Sequence, residues 1–456
     1  MDTKYELIMS YIKSEIQNGN FKSKLPSIRA LAIKFSCSNS TVIRAYSELE
    51  KNNLIYAMPK SGYFVSKNSL IFSDINDEKT INFASGEPSC SIFPTKDFQK
   101  CINKAIDKYG NELFSYGAAD GFLPLKSVLN KKFKGEGINI SENKICFTNG
   151  VQEALSILSS MKFPNGKESI LIEDPTYNLF LGWIKNNNFS VYSIPRDFSG
   201  ISLEVLEDNF KNNDIKFFYT MPRLHNPLGT SYTEEEKKAI VDLANKYDVY
   251  IVEDDYLYNL WNKEDLSLKY YDTEDRVIHM KSFSKTLLPS MRLGAIILPD
   301  SLRGSFFNYK IHLNFRCPQL FQGALTEFIE SGQYDIYVSQ IKKYYAQKLK
   351  LLKQVFEKNS ISELSYNIPL NGFFSYVNLP STISFSELYN ALSLHNVEIR
   401  NMKYFMLDED NNVNAARLSV SNINDENVIE GAEIFLRQIS ELLRMRRNKA
   451  NSMIEL

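Results

Sequence analysis

The 456-residue chain has no uninterrupted apolar run of about 18 residues, the length a membrane-spanning helix requires. It also lacks a basic-then-apolar leader, because Met1 to Ile16 mixes charged and apolar residues in an amphipathic pattern. These two absences lead to the expectation of a cytoplasmic protein with no membrane partner. Cysteine is sparse: Cys37, Cys90, Cys101, Cys146 and Cys317 are odd in number and scattered, without the close pairs that metal sites use. They read as reduced structural thiols, and no metal is expected. Net charge is nearly absent as well, with 53 Lys and Arg against 54 Asp and Glu. The balance is uneven along the chain, however, since residues 1 to 68 carry ten basic against five acidic side chains. That asymmetry points to a polyanionic partner for the N-terminal segment alone.

What is present is material for a core. Apolar residues make up 43% of the chain and charged ones 23%, with 26 Tyr and 30 Phe, which excludes disorder as an organising principle. The length implies two or three domains rather than one.

From Tyr5 to Asn18 the apolar positions Leu7, Ile8, Tyr11, Ile12 and Ile16 recur at helical spacing, and Asn18-Gly19-Asn20 ends the run. After Leu25-Pro26, Ser27 is placed to cap a second helix with Ile28, Leu31, Ala32 and Phe35 inward. A short break at Ser36-Cys37-Ser38 precedes a third helix near Asn39-Ser40-Thr41, carrying Val42, Ala45, Tyr46 and Leu49. Two helices joined so closely form a helix-turn-helix, whose second helix offers its first residues to the major groove. Leu54-Ile55-Tyr56 and Tyr63-Phe64-Val65 then read as a hairpin across Ala57 to Gly62, with Lys60 at its tip.

The pieces Leu25-Pro26-Ser27-Ile28-Arg29-Ala30-Leu31-Ala32, Ser40-Thr41-Val42, Arg44-Ala45-Tyr46, Leu49 and Ser61-Gly62-Tyr63-Phe64-Val65 resemble the GntR family of winged helix-turn-helix repressors. The resemblance implies a double-stranded DNA operator as partner, with Arg29, Asn39, Ser40, Thr41 and Arg44 near DNA and Lys60 and Gly62 on the wing. Basic and hydroxyl groups of this kind mostly hold phosphates. Where many relatives carry Arg at the start of the recognition helix this chain has Asn39, and an amide favours adenine, so a relatively A·T-rich operator is expected. The winged domain is expected over residues 1 to 66, followed by a polar linker over 67 to 80 without sustained periodicity.

Residues 81 to 450 form the expected body. Short apolar runs at Lys144 to Phe147, Ser169 to Ile172, Ser190 to Ile194, Phe217 to Thr220, Val249 to Val252, Val277 to Met280 and Gly294 to Leu298 alternate with helical segments. Such alternation argues for an α/β fold around a mainly parallel sheet, with ligands beyond the carboxyl ends of its strands. Several polar turns occupy those positions: Thr148-Asn149-Gly150-Val151-Gln152 opening a helix, Asp174-Pro175-Thr176-Tyr177, Asn226-Pro227-Leu228-Gly229 and Glu253-Asp254-Asp255-Tyr256. The last is Ser282-Phe283-Ser284-Lys285-Thr286, with Arg292-Leu293-Gly294 beyond it. A glycine turn at a helix N-terminus suits a phosphate.

In this order the motifs resemble the fold-type I pyridoxal-phosphate enzymes of the aspartate aminotransferase superfamily, over roughly residues 80 to 440. Together with the N-terminal module the chain resembles the MocR group of regulators. The resemblance implies pyridoxal 5'-phosphate as cofactor, held covalently by Lys285, with Asp254 keeping the pyridine nitrogen protonated and Asn226 and Tyr256 bonded to the phenolic oxygen. It further implies Tyr177 stacked on the ring and the phosphate held by Gly150, Val151, Ser282 and Arg292, with Tyr116 reaching in from the partner of a head-to-tail homodimer. Arg417 matches the arginine that grips a substrate α-carboxylate, so a small amino-acid ligand is implied. Asp255 stands as the alternative to Asp254, and Tyr258 as the alternative to Tyr256. A large domain is expected over about 115 to 300, and a small domain over about 301 to 450 plus the N-terminal part of the body. Two readings of function follow: a DNA-binding transcriptional regulator whose body senses an amino acid or the cofactor, and an active aminotransferase carrying a DNA-binding head.

Overall fold

The computed structural model describes residues 4–17, 21, 24–51, 55–58, 61–65, 80–261, 265–313, 316–408 and 413–454. Lys60, Leu54 and residues 67 to 79 of the expected linker lie outside them. The chain divides into two compact units, Met1–Thr80 and Ile81–Leu456.

In the first unit, α1 (Lys4–Gln17), α2 (Ile28–Lys34) and α3 (Asn39–Lys51) precede an antiparallel hairpin of β1 (Ile55–Met58) and β2 (Gly62–Val65). Helical spacing brings Ile8 and Ile12 of α1, Leu31 of α2 and Val42, Ala45, Tyr46 and Leu49 of α3 into one core, closed by Ile55 and Val65. Leu7, expected on the same stripe, is exposed. Ser27 caps α2 by accepting from the Ala30 amide at 3.2 Å, a cap that typically contributes about 1 kcal/mol. The buried Tyr46 hydroxyl donates to the Pro26 carbonyl and so ties α3 to the Leu-Pro-Ser turn. The hairpin strands run further than the sequence indicates: Ala57 and Met58 pair with Tyr63 and Gly62.

The second unit opens with β3 (Ile81–Asn82). Its main sheet contains β4 (Ile145–Thr148), β5 (Ser169–Asp174), β6 (Val191–Pro195), β7 (Ile215–Thr220), β8 (Tyr250–Asp255), β9 (Val277–Ser282) and β10 (Gly294–Ile297). Their spatial order is β4-β10-β9-β8-β7-β5-β6; β10 runs antiparallel to both neighbours and all other pairs are parallel. Residues of β5, β7, β8 and β9 are buried on both faces apart from a half-buried Asp174, as a sheet covered by helices on each side requires. All seven expected strands are present, although β5 and β8 continue through Asp174 and Asp255. A smaller antiparallel sheet has β11 (Ser365–Asn367), β12 (Phe374–Asn378), β15 (Ala415–Ser419) and β14 (Arg400–Asn401) side by side. β13 (Val397–Glu398) pairs in parallel with β3, which joins the start of this unit to its C-terminal part. No helix among the described residues is long and apolar enough to cross a membrane.

Candidate functional site

The turns at the carboxyl ends of the parallel strands converge on a cavity of about 280 Å³. Gly150, Val151, Tyr177, Asn226, Asp254, Tyr256, Ser282, Lys285 and Arg292 all line it, so nine of the residues singled out in the sequence meet in one place. Gln152 and Ser284, which belong to the turns picked out in the sequence without a role of their own, and Glu87, Pro88, Leu179, Met221 and Pro289, which were not foreseen, complete the wall.

At one end, Gly150 holds φ at +81° and caps the helix Val151–Ser160. A Cβ there would meet the Arg292 Nη2 at 2.9 Å, so the turn brings backbone and guanidinium unusually close. Arg292 itself adopts φ +47° and donates to the Asn149 carbonyl at 3.4 Å. Free helix N-H groups facing an arginine form a ready anion cradle.

On the cavity floor, Asp254 is only 3% exposed. Its Oδ2 accepts from the Tyr219 hydroxyl at 2.8 Å, while its buried Oδ1 has no hydrogen-bond partner among the described residues. Burial raises this carboxyl to about 7 against the lowering effects of Tyr219 and Lys285. Asp255, the alternative, points to the opposite face of β8, as strand alternation demands, and pairs with Arg223. Tyr258 likewise turns away and bonds to Tyr334. Asp254 and Tyr256, the members of each pair that the family resemblance favours, are the ones that line the cavity.

Lys285 donates from Nζ to the Gly86 carbonyl at 2.7 Å. Burial, and then the cations of Arg417 and Arg292, lower its ammonium to about 8. The Tyr256 hydroxyl donates to the Leu224 carbonyl, and the Asn226 Oδ1 accepts from Arg417 at 3.1 Å. Burial and the nearby Asp254 push the Tyr177 phenol up to about 12. The Ser284 Oγ is buried without a partner among the described residues.

Arg417 is 4% exposed. Its guanidinium bonds to Asn226 and the Ala84 carbonyl and packs over the Phe374 ring, and among the described residues no carboxylate pairs with it. Burial, then Arg400, lowers it to about 9. A buried guanidinium so placed is a receptor for a carboxylate supplied from outside. Tyr116, by contrast, is 81% exposed and does not line the cavity of the single chain.

Behind the cavity, one buried carboxylate organises the loops. Glu173, at the end of β5, accepts from Arg196, Thr220, Tyr232 and the Met221 amide, and lies 3.1 Å from the His225 Nε2. Arg196 and the other donors hold Glu173 well below the usual carboxylate range despite burial. The next residues along each chain segment are those that carry Tyr177 and Asn226. This hub escaped the sequence reading because nothing in a strand such as Ser169–Asp174 announces which of its two acids will be buried and where it will find donors.

In the first unit, Arg29, Asn39, Ser40, Arg44 and Gly62 are exposed and Thr41 is half-buried. Asn39, Ser40 and Thr41 open α3, with the Ser38 hydroxyl bridging Ser40 and Thr41 at 2.7 and 2.9 Å. The Arg44 guanidinium lies over the Tyr5 ring at 4.3 Å, which fixes its stem while leaving the side chain exposed.

Comparison with known proteins agrees with both units. Residues 78–435 match the model of aminotransferase class I and II, and residues 4–65 that of the bacterial regulatory proteins of the gntR family. The uncharacterized HTH-type transcriptional regulator YcxD of Bacillus subtilis is 36% identical, across 96% of this chain and 100% of its own. The HTH-type transcriptional regulator NorG of Staphylococcus aureus is 24% identical, across 89% of this chain and 97% of its own. Among solved structures, the multiple substrate aminotransferase of Thermococcus profundus superposes with a TM-score of 0.75 at 24% identity, covering 84% of this chain and 96% of that one. The kynurenine aminotransferase of Pyrococcus horikoshii, solved with PMP, gives 0.74 at 24% identity, covering 83% and 95%.

Proposed function

Because the chain belongs to the aminotransferase class I and II family and carries a gntR-family head, as the MocR-type transcriptional regulators do, we propose that its body binds pyridoxal 5'-phosphate and senses an amino acid. The observation that supports this most directly is a set of unmet demands around one cavity. Among the described residues Asp254 has one oxygen without a partner and Arg417 has no carboxylate partner, and a helix N-terminus faces Arg292.

The residues present fit the cofactor. When bound, pyridoxal 5'-phosphate supplies an electrophilic carbon and an electron-withdrawing ring. Gly150, Val151, Ser282 and Arg292 would hold its phosphate, and Tyr177 would cover one ring face. Asn226 and Tyr256 would orient the phenolic oxygen. Asp254 would hold a proton on the ring nitrogen, and Lys285, whose amine loses its proton more readily than an exposed lysine, would form the covalent link. Arg417 would bind the α-carboxylate of an incoming amino acid through its planar fork. In a head-to-tail homodimer, Tyr116 would complete the phosphate site of the other chain.

Regulation then follows from population shift: a ligand moves an equilibrium only through its different affinities for two conformations, with coupling of about 1 to 3 kcal/mol in such systems. Closure of the C-terminal sheet, which carries Arg417 on β15, is the conformational difference proposed, and residues 67 to 80 would pass it to the heads. The same Lys285, Asp254 and Arg417 would also serve turnover, so an active aminotransferase is the second reading. Operator occupancy and absorbance of the loaded protein, titrated together with each amino acid, separate the two. An amino acid that changes both supports sensing. One that is converted to its keto acid while occupancy stays unchanged supports the enzyme.

A further inference from the structure

Tyr219 sits in the middle of the main sheet, in a strand whose neighbours along that face are apolar. On β7 it stands in register with Val252 of β8, one strand away and two residues before Asp254. It is fully buried, and its ring packs against Phe180 with centroids 4.6 Å apart. A phenylalanine would satisfy that packing. A buried hydroxyl is costly unless it finds an acceptor, and the acceptor here is the Asp254 Oδ2 at 2.8 Å.

We propose that Tyr219 is a positioning residue for the cofactor ring: its hydroxyl pins Asp254 through Oδ2, leaves Oδ1 as the ring nitrogen's acceptor, and biases the proton shared between them toward the nitrogen. The inference rests on the pyridoxal 5'-phosphate reading above. The carboxylate has two oxygens with opposite fates, one bonded and one buried without a partner. With one oxygen held, the group cannot rotate freely, so the other has a fixed place in the cavity wall. A hydrogen bond donated to a carboxylate favours its anionic form. Where one proton lies between Oδ1 and a pyridine nitrogen, a donor on Oδ2 lowers the basicity of the carboxylate and shifts the proton onto nitrogen.

The other groups facing Asp254 do not perform this task. Lys285, from the loop after β9, commits its amine to Gly86. Glu173 on β5 and Asp255 on β8 are anionic neighbours that oppose ionisation. Tyr177, at the start of the helix Asn178–Asn186, lines the cavity but is not bonded to the carboxylate, and the Tyr256 hydroxyl goes to Leu224.

The test compares wild type with Tyr219→Phe in two states of the full chain. Without cofactor, the Asp254 carboxyl is titrated by infrared difference against Asp254→Asn; the Phe variant is expected to titrate higher by about one pH unit, a tenfold change in proton affinity. With pyridoxal 5'-phosphate labelled with 15N in the ring, the wild-type nitrogen is expected to resonate as a pyridinium and the variant to move toward neutral pyridine. Cofactor affinity should fall several-fold in the Phe variant but hardly at all when the change is made on Asp254→Asn. Equal titration midpoints, or an equal loss of affinity in both backgrounds, would overturn the proposal. A wild-type chain that takes up no cofactor would instead sink the reading of the preceding subsection, while the cofactor-free titration still judges this one. Should the Phe variant not fold, tyrosine labelled at the phenol carbon keeps the question open to measurement. One tyrosine signal of the wild type must follow the Asp254 titration, and its absence rejects the hydrogen bond.

Discussion

Lys285 and Arg417 are two cations held in low-dielectric surroundings, and each has a measurable signature. The ordinary lysine value is 10.5, and burial brings Lys285 to about 8. A lowered value means that the neutral, nucleophilic amine is present at lower pH, so capture of pyridoxal 5'-phosphate should accelerate as pH rises with a midpoint near 8. Stopped-flow absorbance checks this, and a midpoint near that of free lysine would contradict the burial argument. For stability the sign is the same: the folded chain loses this proton before the unfolded chain does, so the Lys285 contribution is fully present above 10.5 and is lost as pH falls through about 8. Arg417→Ala should leave the yellow cofactor in place yet abolish the spectral response to amino acids. Removing a charged partner of a carboxylate typically costs about 2 to 5 kcal/mol of binding, so calorimetry on the loaded variant should detect no saturable amino acid at concentrations that saturate wild type.

Among the elements, the Gly150 turn and α3 are the two most exposed to a single change. Gly150→Ala forces a side chain into a left-handed φ of +81° and against Arg292. The expected result is a loss of about 1 kcal/mol in stability and a weaker hold on the phosphate, read as a cofactor dissociation constant raised roughly tenfold, equivalent to about 1.4 kcal/mol. On α3, Arg44→Ala should weaken DNA binding across all sequences and flatten its dependence on salt, because phosphate contacts act through released counterions. An unchanged salt slope would assign Arg44 to packing over Tyr5 alone. The turns were legible in the sequence because a polar cluster after an apolar run marks the ligand end of a parallel strand. Between Asp254 and Asp255 the strand pattern alone was not decisive: alternation along β8 separates them but does not say which face is the ligand's, and the preference for Asp254 came from the family resemblance. Tyr219 was hidden for a related reason, since a tyrosine within an apolar strand reads as core until its acceptor on the next strand is known. Leu7 misled because helical spacing counts apolar positions without knowing how wide a stripe three short helices can cover.

At the scale of the whole molecule, the second unit leaves large apolar side chains uncovered. Phe114, Tyr116, Leu123, Ile311 and Leu313 are exposed. The segments carrying them are tied together where Lys310 bonds to the Ala119 carbonyl at 3.0 Å and Arg316 lies over the Tyr116 ring. Apolar surface of this kind marks an interface, which supports the homodimer proposed above. Leu313→Glu is expected to shift sedimentation toward the monomer and to lower cofactor occupancy, since Tyr116 would then serve no second chain. Full occupancy in the monomer would contradict the shared site. Glu173 bears on how such a molecule can signal at all. Its donors are Arg196 just after β6, Thr220 at the end of β7, and Met221 and Tyr232 on either side of Asn226, so displacing any of these segments takes a donor from a buried anion. Amides of the three segments should therefore exchange with deuterium together, at one slow rate, rather than fraying one by one. A sheet edge knotted in this way behaves as a single lever: it cannot soften in part, and whatever a bound amino acid transmits must travel as the displacement of a solid body.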